Sequence, residues 1–162
     1  MAMQAVIDWI SGTSLSEAIR NQSWVVPAVQ AVHICAIAMV AGSALVSELR
    51  LVGAIASDEP PAAVIKRYLP WMWGALVVLL LTGLILVWGE PERTLLNRLF
   101  WLKMSLVLIG VVLSVLFRKP LLDPEFNARH PARTWLIKPV ALLSLCIWIA
   151  VVCSGRWIAY AG

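Results

Sequence analysis

Charge is scarce in this sequence. Of its 162 residues, 14% are charged and 61% hydrophobic, whereas a soluble domain carries about a quarter of its residues charged. That balance excludes a water-soluble globule and puts a polytopic membrane protein in its place. Histidine is scarcer still, with two in the chain, and there are three cysteines. Cys35, Cys146 and Cys153 fall in apolar runs and lack the paired spacing of a zinc or disulfide framework, so they read as small buried packing residues. No apolar run carries Asp or Glu in its interior, which disfavours a proton-coupled transporter. A cleavable signal is not expected either, because the first twenty residues contain Asp8 and Glu17 and no long apolar region.

The apolar sequence that is present falls into four spans, near residues 24–49, 71–88, 99–117 and 136–157. A helix needs about 20 apolar residues to cross a hydrocarbon core of roughly 30 Å, and each run is long enough. Tryptophans stand next to the proposed ends, at Trp24, Trp71, Trp73, Trp88, Trp101, Trp135 and Trp157, as an interfacial belt requires. Trp148 alone is deep, and its indole N–H needs a partner inside the bundle or on a bound molecule. Ahead of the spans, residues 1–22 carry apolar side chains at helical spacing around Gly12, with Ser14 and Glu17 in a capping-box arrangement. They predict two short helices, either on the membrane surface with Trp9 at headgroup level or covering one end of the bundle. Asp123 is placed to cap a further short helix from Pro124. The fold class is therefore all-α: one integral membrane domain over residues 1–162, a four-helix up-down bundle with short N-terminal interfacial helices.

Basic residues orient it. Eight of them (Arg50, Lys66, Arg67, Arg118, Lys119, Arg129, Arg133 and Lys138) flank one side, and five (Arg20, Arg93, Arg98, Lys103 and Arg156) the other. The positive-inside rule then places both termini outside the cytoplasm. The net charge of +4 sits beside spans, where it meets anionic lipid, so the expected partner is the bilayer and not nucleic acid. Close helix approach is expected at the Ala38/Gly42 pair and at Gly74, Gly83, Gly110, Ser105, Ser114, Ser144 and Gly155.

One polar group inside a span asks for an explanation. From Val25 to Val46 the first span has no formal charge, and His33 lies about 13 Å along it from Trp24 at 1.5 Å per residue. Intramembrane polar groups are costly and mark functional sites. Gln30, one turn away, shares its face; Lys103, Arg156 and Trp88 fall in the same half of the membrane. A neutral imidazole suits haem iron as an axial ligand, and nearby cations suit the propionates. His33 is thus the candidate metal ligand of a b-type haem, with Lys103, Arg156, Gln30 and Trp88 as candidate cofactor-binding residues. His130 falls in a loop, which excludes a bis-histidine site and leaves Met39, Met104, Lys103, water or nothing as second ligand. The bland alternatives are that Lys103 and Arg156 snorkel to the interface and that His33 merely donates a hydrogen bond to a neighbouring carbonyl, with Gln30 its simple polar neighbour.

The pattern of His33, Gly42, Glu48-Leu49-Arg50-Leu51, Pro70-Trp71, Thr82-Gly83 and Asn97 through Lys103-Met104 resembles an uncharacterised family of small four-span bacterial membrane proteins. More distantly, His33, Arg50 and Lys103 resemble the oxygen-independent haem-containing protoporphyrinogen oxidases, and His33 the copper-resistance D membrane family. The resemblance implies a bacterial inner membrane location and electron transfer or porphyrin redox chemistry. Arg50 itself more simply orients the chain or pairs with Glu48. Copper at His33 and Met39 makes a thin site, and Cys35 projects to a different helix face from His33, so it is no nucleophile paired to that base. The competing class is a non-catalytic accessory subunit of a larger membrane complex, or a homo-oligomer.

Overall fold

A computed structural model describes residues 2–121 and 134–158, with side chains described for 3–116 and 136–155. Within them the chain is helical, in the order α1 (Ala2–Ser11), α2 (Ser14–Asn21), α3 (Val25–Val52), α4 (Pro61–Gly89), α5 (Pro91–Leu95), α6 (Arg98–Leu121) and α7 (Thr134–Ile158). Four of these, α3, α4, α6 and α7, are long and apolar enough to cross a membrane. The protein is an all-α, integral membrane four-helix bundle in contact with lipid. Three expectations, the helix from Pro124, the placement of His130 and the side chain of Arg156, lie outside the described residues.

Local signals set the helix ends. Thr13, and not Ser14, is the N-cap of α2; its hydroxyl accepts from the Ser16 amide at 3.3 Å. The sequence offered two adjacent hydroxyls, and the one with extended backbone took the cap. Helix α3 stops at Gly53, whose φ of 89° is left-handed and whose N–H returns to the Leu49 and Arg50 carbonyls. Such a reversal suits glycine, which has no Cβ to clash. Pro61 occupies the first turn of α4, where its missing N–H costs nothing. The helix therefore begins ten residues before the expected Trp71 and carries Pro70 inside it. The added turns are held by buried Val64 and Ile65.

Helix α3 packs against α4 and α7, and α6 packs against α7. The inner pair is therefore α3 and α7, while α4 and α6, consecutive spans, are joined through α5. The core is Val40, Ala44, Met72, Ala75, Trp148 and Val151, with Leu106, Val107 and Val111 of α6 laid against it. Small residues let the inner helices approach: α3 buries Ala36, Val40, Ser43, Ala44 and Ser47 along one stripe. Of the expected contact residues, Gly83, Gly110, Gly155, Ser114 and Ser144 meet a neighbouring helix or are buried. Ala38, Gly42 and Ser105 are exposed, and nothing lies near Gly42 or Gly74.

The cysteines require the same correction. Cys35, Cys146 and Cys153 are free and exposed, so they stand on the lipid face and are not buried packing residues. Lipid is as apolar as the core, so an apolar residue in a span has no preferred side.

The N-terminal helices cover one end of the bundle, called here the terminal end. Helix α1 packs on α5 and α2 on α4 and α3. Ile7, Ile10, Ser16 and Ile19 are buried, and Trp9 is left exposed. The Ser16 hydroxyl donates to the Trp88 carbonyl at 2.8 Å, which satisfies one of the orphan acceptors at the C-terminus of α4. Gly89 makes room: a Cβ there would meet Ile19 at 3.1 Å and Val26 at 3.3 Å.

Candidate functional site

Near the terminal end, α3 and α4 bring His33 against Thr82, with His33 Nδ1 and Thr82 Oγ1 2.7 Å apart. Thr82 is buried and back-bonds its own helix, donating to the Val78 carbonyl at 2.6 Å, a common arrangement for a hydroxyl in a membrane helix. A hydroxyl has one hydrogen to give. With that hydrogen committed to Val78, Thr82 can only accept from the imidazole, so Nδ1 carries the proton of the neutral ring. The tautomer assigned from this network leaves the lone pair on Nε2. Nε2 has no hydrogen-bond partner among the described residues. Gly83 supplies the surface beside the ring; a Cβ there would come within 3.7 Å of His33 Cε1.

Lys103 enters the site from α6. Its side chain crosses Gly155 of α7, where a Cβ would lie 3.3 Å from Nζ and 3.6 Å from Cε. It points into the bundle and is half-buried, within electrostatic range of the His33 ring. His33 at the α3–α4 contact and Lys103 at the α6–α7 contact are thus within electrostatic reach of each other. The other expected members stand apart. Gln30 is exposed and makes no hydrogen bond among the described residues. Trp88 is half-buried, and its carbonyl belongs to the Ser16 tether. Met39 and Met104, considered as second axial ligands, are both exposed, so neither thioether faces the bundle.

A second polar layer lies further along α3, four residues before its end. Glu48 is 3% exposed and accepts a hydrogen bond from Ser144 Oγ, itself 3% exposed, at 2.8 Å. Ser144 is about 12 Å into the apolar run that begins at Leu136, at 1.5 Å per residue. Glu48 thus meets α7 inside the bundle, although it stands only four residues before the end of α3. The physical cause is register: α3 outlasts its uncharged stretch and carries its last turns against the middle of α7. Arg50 does not pair with Glu48. Both its Nε, at 2.9 Å, and its Nη2 donate to the Glu59 carbonyl, since residues two apart on a helix face different directions.

A family model matches residues 8–161, nearly the whole chain. The chain belongs to the family of unknown function DUF6644. The expected kinship with an uncharacterised family is thereby met, and the match brings no haem enzyme with it. No curated protein and no solved structure matches the chain. Family membership therefore assigns no residue a role, and the chemistry has to be argued from His33, Thr82 and Lys103.

Two residues that sequence reasoning left outside the site belong to it or beside it. Thr82 was visible only as one half of a Thr-Gly pair, and its partner lies 49 residues away. Glu48 was visible as a charge at the end of a span, and only the packing of α3 on α7 shows it to be internal.

Proposed function

We propose that this protein binds one b-type haem through His33 Nε2 and serves electron transfer or porphyrin redox chemistry. The observation that carries the proposal is the Nδ1–H bond to Thr82, which fixes the ring and its tautomer and directs the free lone pair away from α4. Metal-ligating histidines characteristically use their second nitrogen in this way. Among the described residues no three of His, Cys, Asp and Glu come together, so a metal at His33 needs most of its ligands from elsewhere. A porphyrin supplies four, and one axial histidine completes a working site. When bound, the haem supplies the one-electron chemistry.

This chain's residues supply the rest. Thr82 orients the imidazole, Gly83 leaves a flat approach beside it, and Lys103 offers a cation to a ligand carboxylate. Arg156, one residue beyond Gly155, is the second candidate for that role. The resemblance at His33 and Lys103 to haem-containing oxidases supports the assignment. Loop charge supports both termini on the outer side, and the resemblance supports a single domain over residues 1–162 in the bacterial inner membrane.

The test is absorbance of the protein purified after expression with ample haem supply. The wild type is expected to show a Soret band, and His33→Ala to lose it while keeping its helicity and elution volume. A His33→Ala protein with an unchanged Soret band overturns the ligand. A folded wild type that acquires no haem moves the assignment to an accessory subunit of a larger membrane complex.

A further inference from the structure

The cap over the terminal end encloses a space that the His33 site does not use. Between the N-terminal helices and the turn from α4 into α5 lies an open cleft of about 470 Å³, within the roughly 300–1,000 Å³ of small-ligand sites. Its buried lining residues are Gly89 and Pro91. The rest of the lining is polar. Ser11 and Arg20 come from α1 and α2, and Glu90, Glu92 and Arg93 from α5 and its N-cap.

Most of this polar capacity is unused inside the protein. Glu90 and Arg93 pair with each other, with Nη1 3.3 Å from Oε2. The side chains of Arg20, Glu92 and Ser11 make no hydrogen bond or ion pair among the described residues. The N-terminal helices therefore offer the cleft a free guanidinium and a free hydroxyl, and α5 offers it a free carboxylate. Two guanidiniums and two carboxylates line the cleft, so its charges cancel and it complements a ligand that carries both signs rather than an ion of one sign.

Position in the membrane narrows the ligand. Helix α4 has 29 residues, about 43 Å at 1.5 Å per residue, close to the ~40–45 Å of a bilayer with its headgroups. Gly89, its last residue, thus stands at headgroup level. Trp9 and Trp24 are 68% and 67% exposed at the same end, as an interfacial indole belt requires. A molecule that presents an anion and a cation together at that level is a zwitterionic phospholipid. Quaternary ammonium groups are recognised by aromatic cages, and no aromatic residue lines this cleft. A primary ammonium instead has three hydrogens to donate to carboxylates.

We propose that the cleft binds a phospholipid headgroup that carries a phosphate and a primary amine, with the phosphate on Arg20 and Ser11 and the ammonium on Glu92. Guanidinium matches phosphate geometry and binds it through paired hydrogen bonds. The acyl chains stay in the bilayer, and the headgroup ties the N-terminal helices to α5. The site does not depend on haem.

The test uses the full chain in detergent micelles, stripped of lipid and offered equal amounts of phosphatidylethanolamine, phosphatidylcholine and phosphatidylglycerol with matched chains. Native mass spectrometry counts the lipid retained. The wild type is expected to retain one phosphatidylethanolamine, several-fold in preference to the other two. Arg20→Gln is expected to weaken that binding about tenfold, the loss of a charge-assisted hydrogen bond, and Glu92→Gln to abolish the preference for the amine over phosphatidylcholine. Neither side chain bonds the rest of the protein, so both variants should keep the wild-type unfolding midpoint in the absence of lipid. Equal retention of the three lipids by the wild type overturns the site. So does wild-type retention by Arg20→Gln, or a Glu92→Gln protein that still prefers the amine. Glycerophosphoethanolamine, the headgroup without chains, is expected to compete weakly; binding as tight as that of the lipid makes the ligand a soluble one and overturns the lipid assignment.

Discussion

The two polar regions of this bundle are built in opposite ways. At the terminal end His33 and Lys103 are half-buried, and Nε2 and Nζ each lack a protein partner among the described residues. In the second layer Glu48 and Ser144 are fully buried and bonded to each other across two helices. A group that keeps an unused lone pair or proton beside an accessible surface is poised for a ligand. A group that uses them on a neighbouring helix holds that helix in register. The contrast separates a site for chemistry from a site for assembly in one small bundle.

Substitutions can break that contrast. The largest stability effect is expected from Glu48→Leu, which removes the acceptor of the Ser144 hydroxyl. A loss of about 1–3 kcal/mol, the cost of leaving the buried Ser144 hydroxyl without its acceptor, should show in denaturant unfolding in micelles, with haem retention per folded protein unchanged. Thr82→Val should do the reverse. It keeps the shape and removes the group that orients His33, so ligand affinity should fall about 10- to 100-fold in a haem titration, while the unfolding midpoint stays near wild type. If the two variants trade phenotypes, the division between the regions is wrong.

Smaller effects sharpen it. Gly110→Ala pushes a methyl against Trp148 in a packed layer and should cost about 1–2 kcal/mol, read in the same unfolding measurement. Arg67→Ala, which deletes the exposed ion pair with Glu59 at 2.7 Å, should cost less than about 1 kcal/mol. Equal losses from these two variants would show that the seam between α6 and α7 is looser than its contacts imply.

Legibility in the sequence followed the same physics. The four spans were readable because about 20 apolar residues leave few alternatives. Which face of each span looks inward was not, because lipid and core make the same demand on side chains. Cys35 and Met39 are as apolar as Ala36 and Val40, yet the first two face outward and the last two are buried. His33 was conspicuous as a lone polar group, but Thr82 became its partner only when α4 folded against α3. Glu48 stood out only as a charge near the end of its span, because Ser144, the neighbour it meets, is 96 residues away.

The tether between Ser16 and Trp88 joins residues 72 positions apart. Translation at about 5–20 residues per second makes the N-terminal helices roughly 4–14 seconds before the carbonyl they bind exists. Through that interval α1 and α2 have each other, α3 once it is made and the membrane surface to rest on, without the α4 and α5 surfaces they later cover. The cap is therefore a late event of biogenesis, closing when the second span has been inserted, and a nascent chain arrested before residue 88 should leave those helices open to proteolysis.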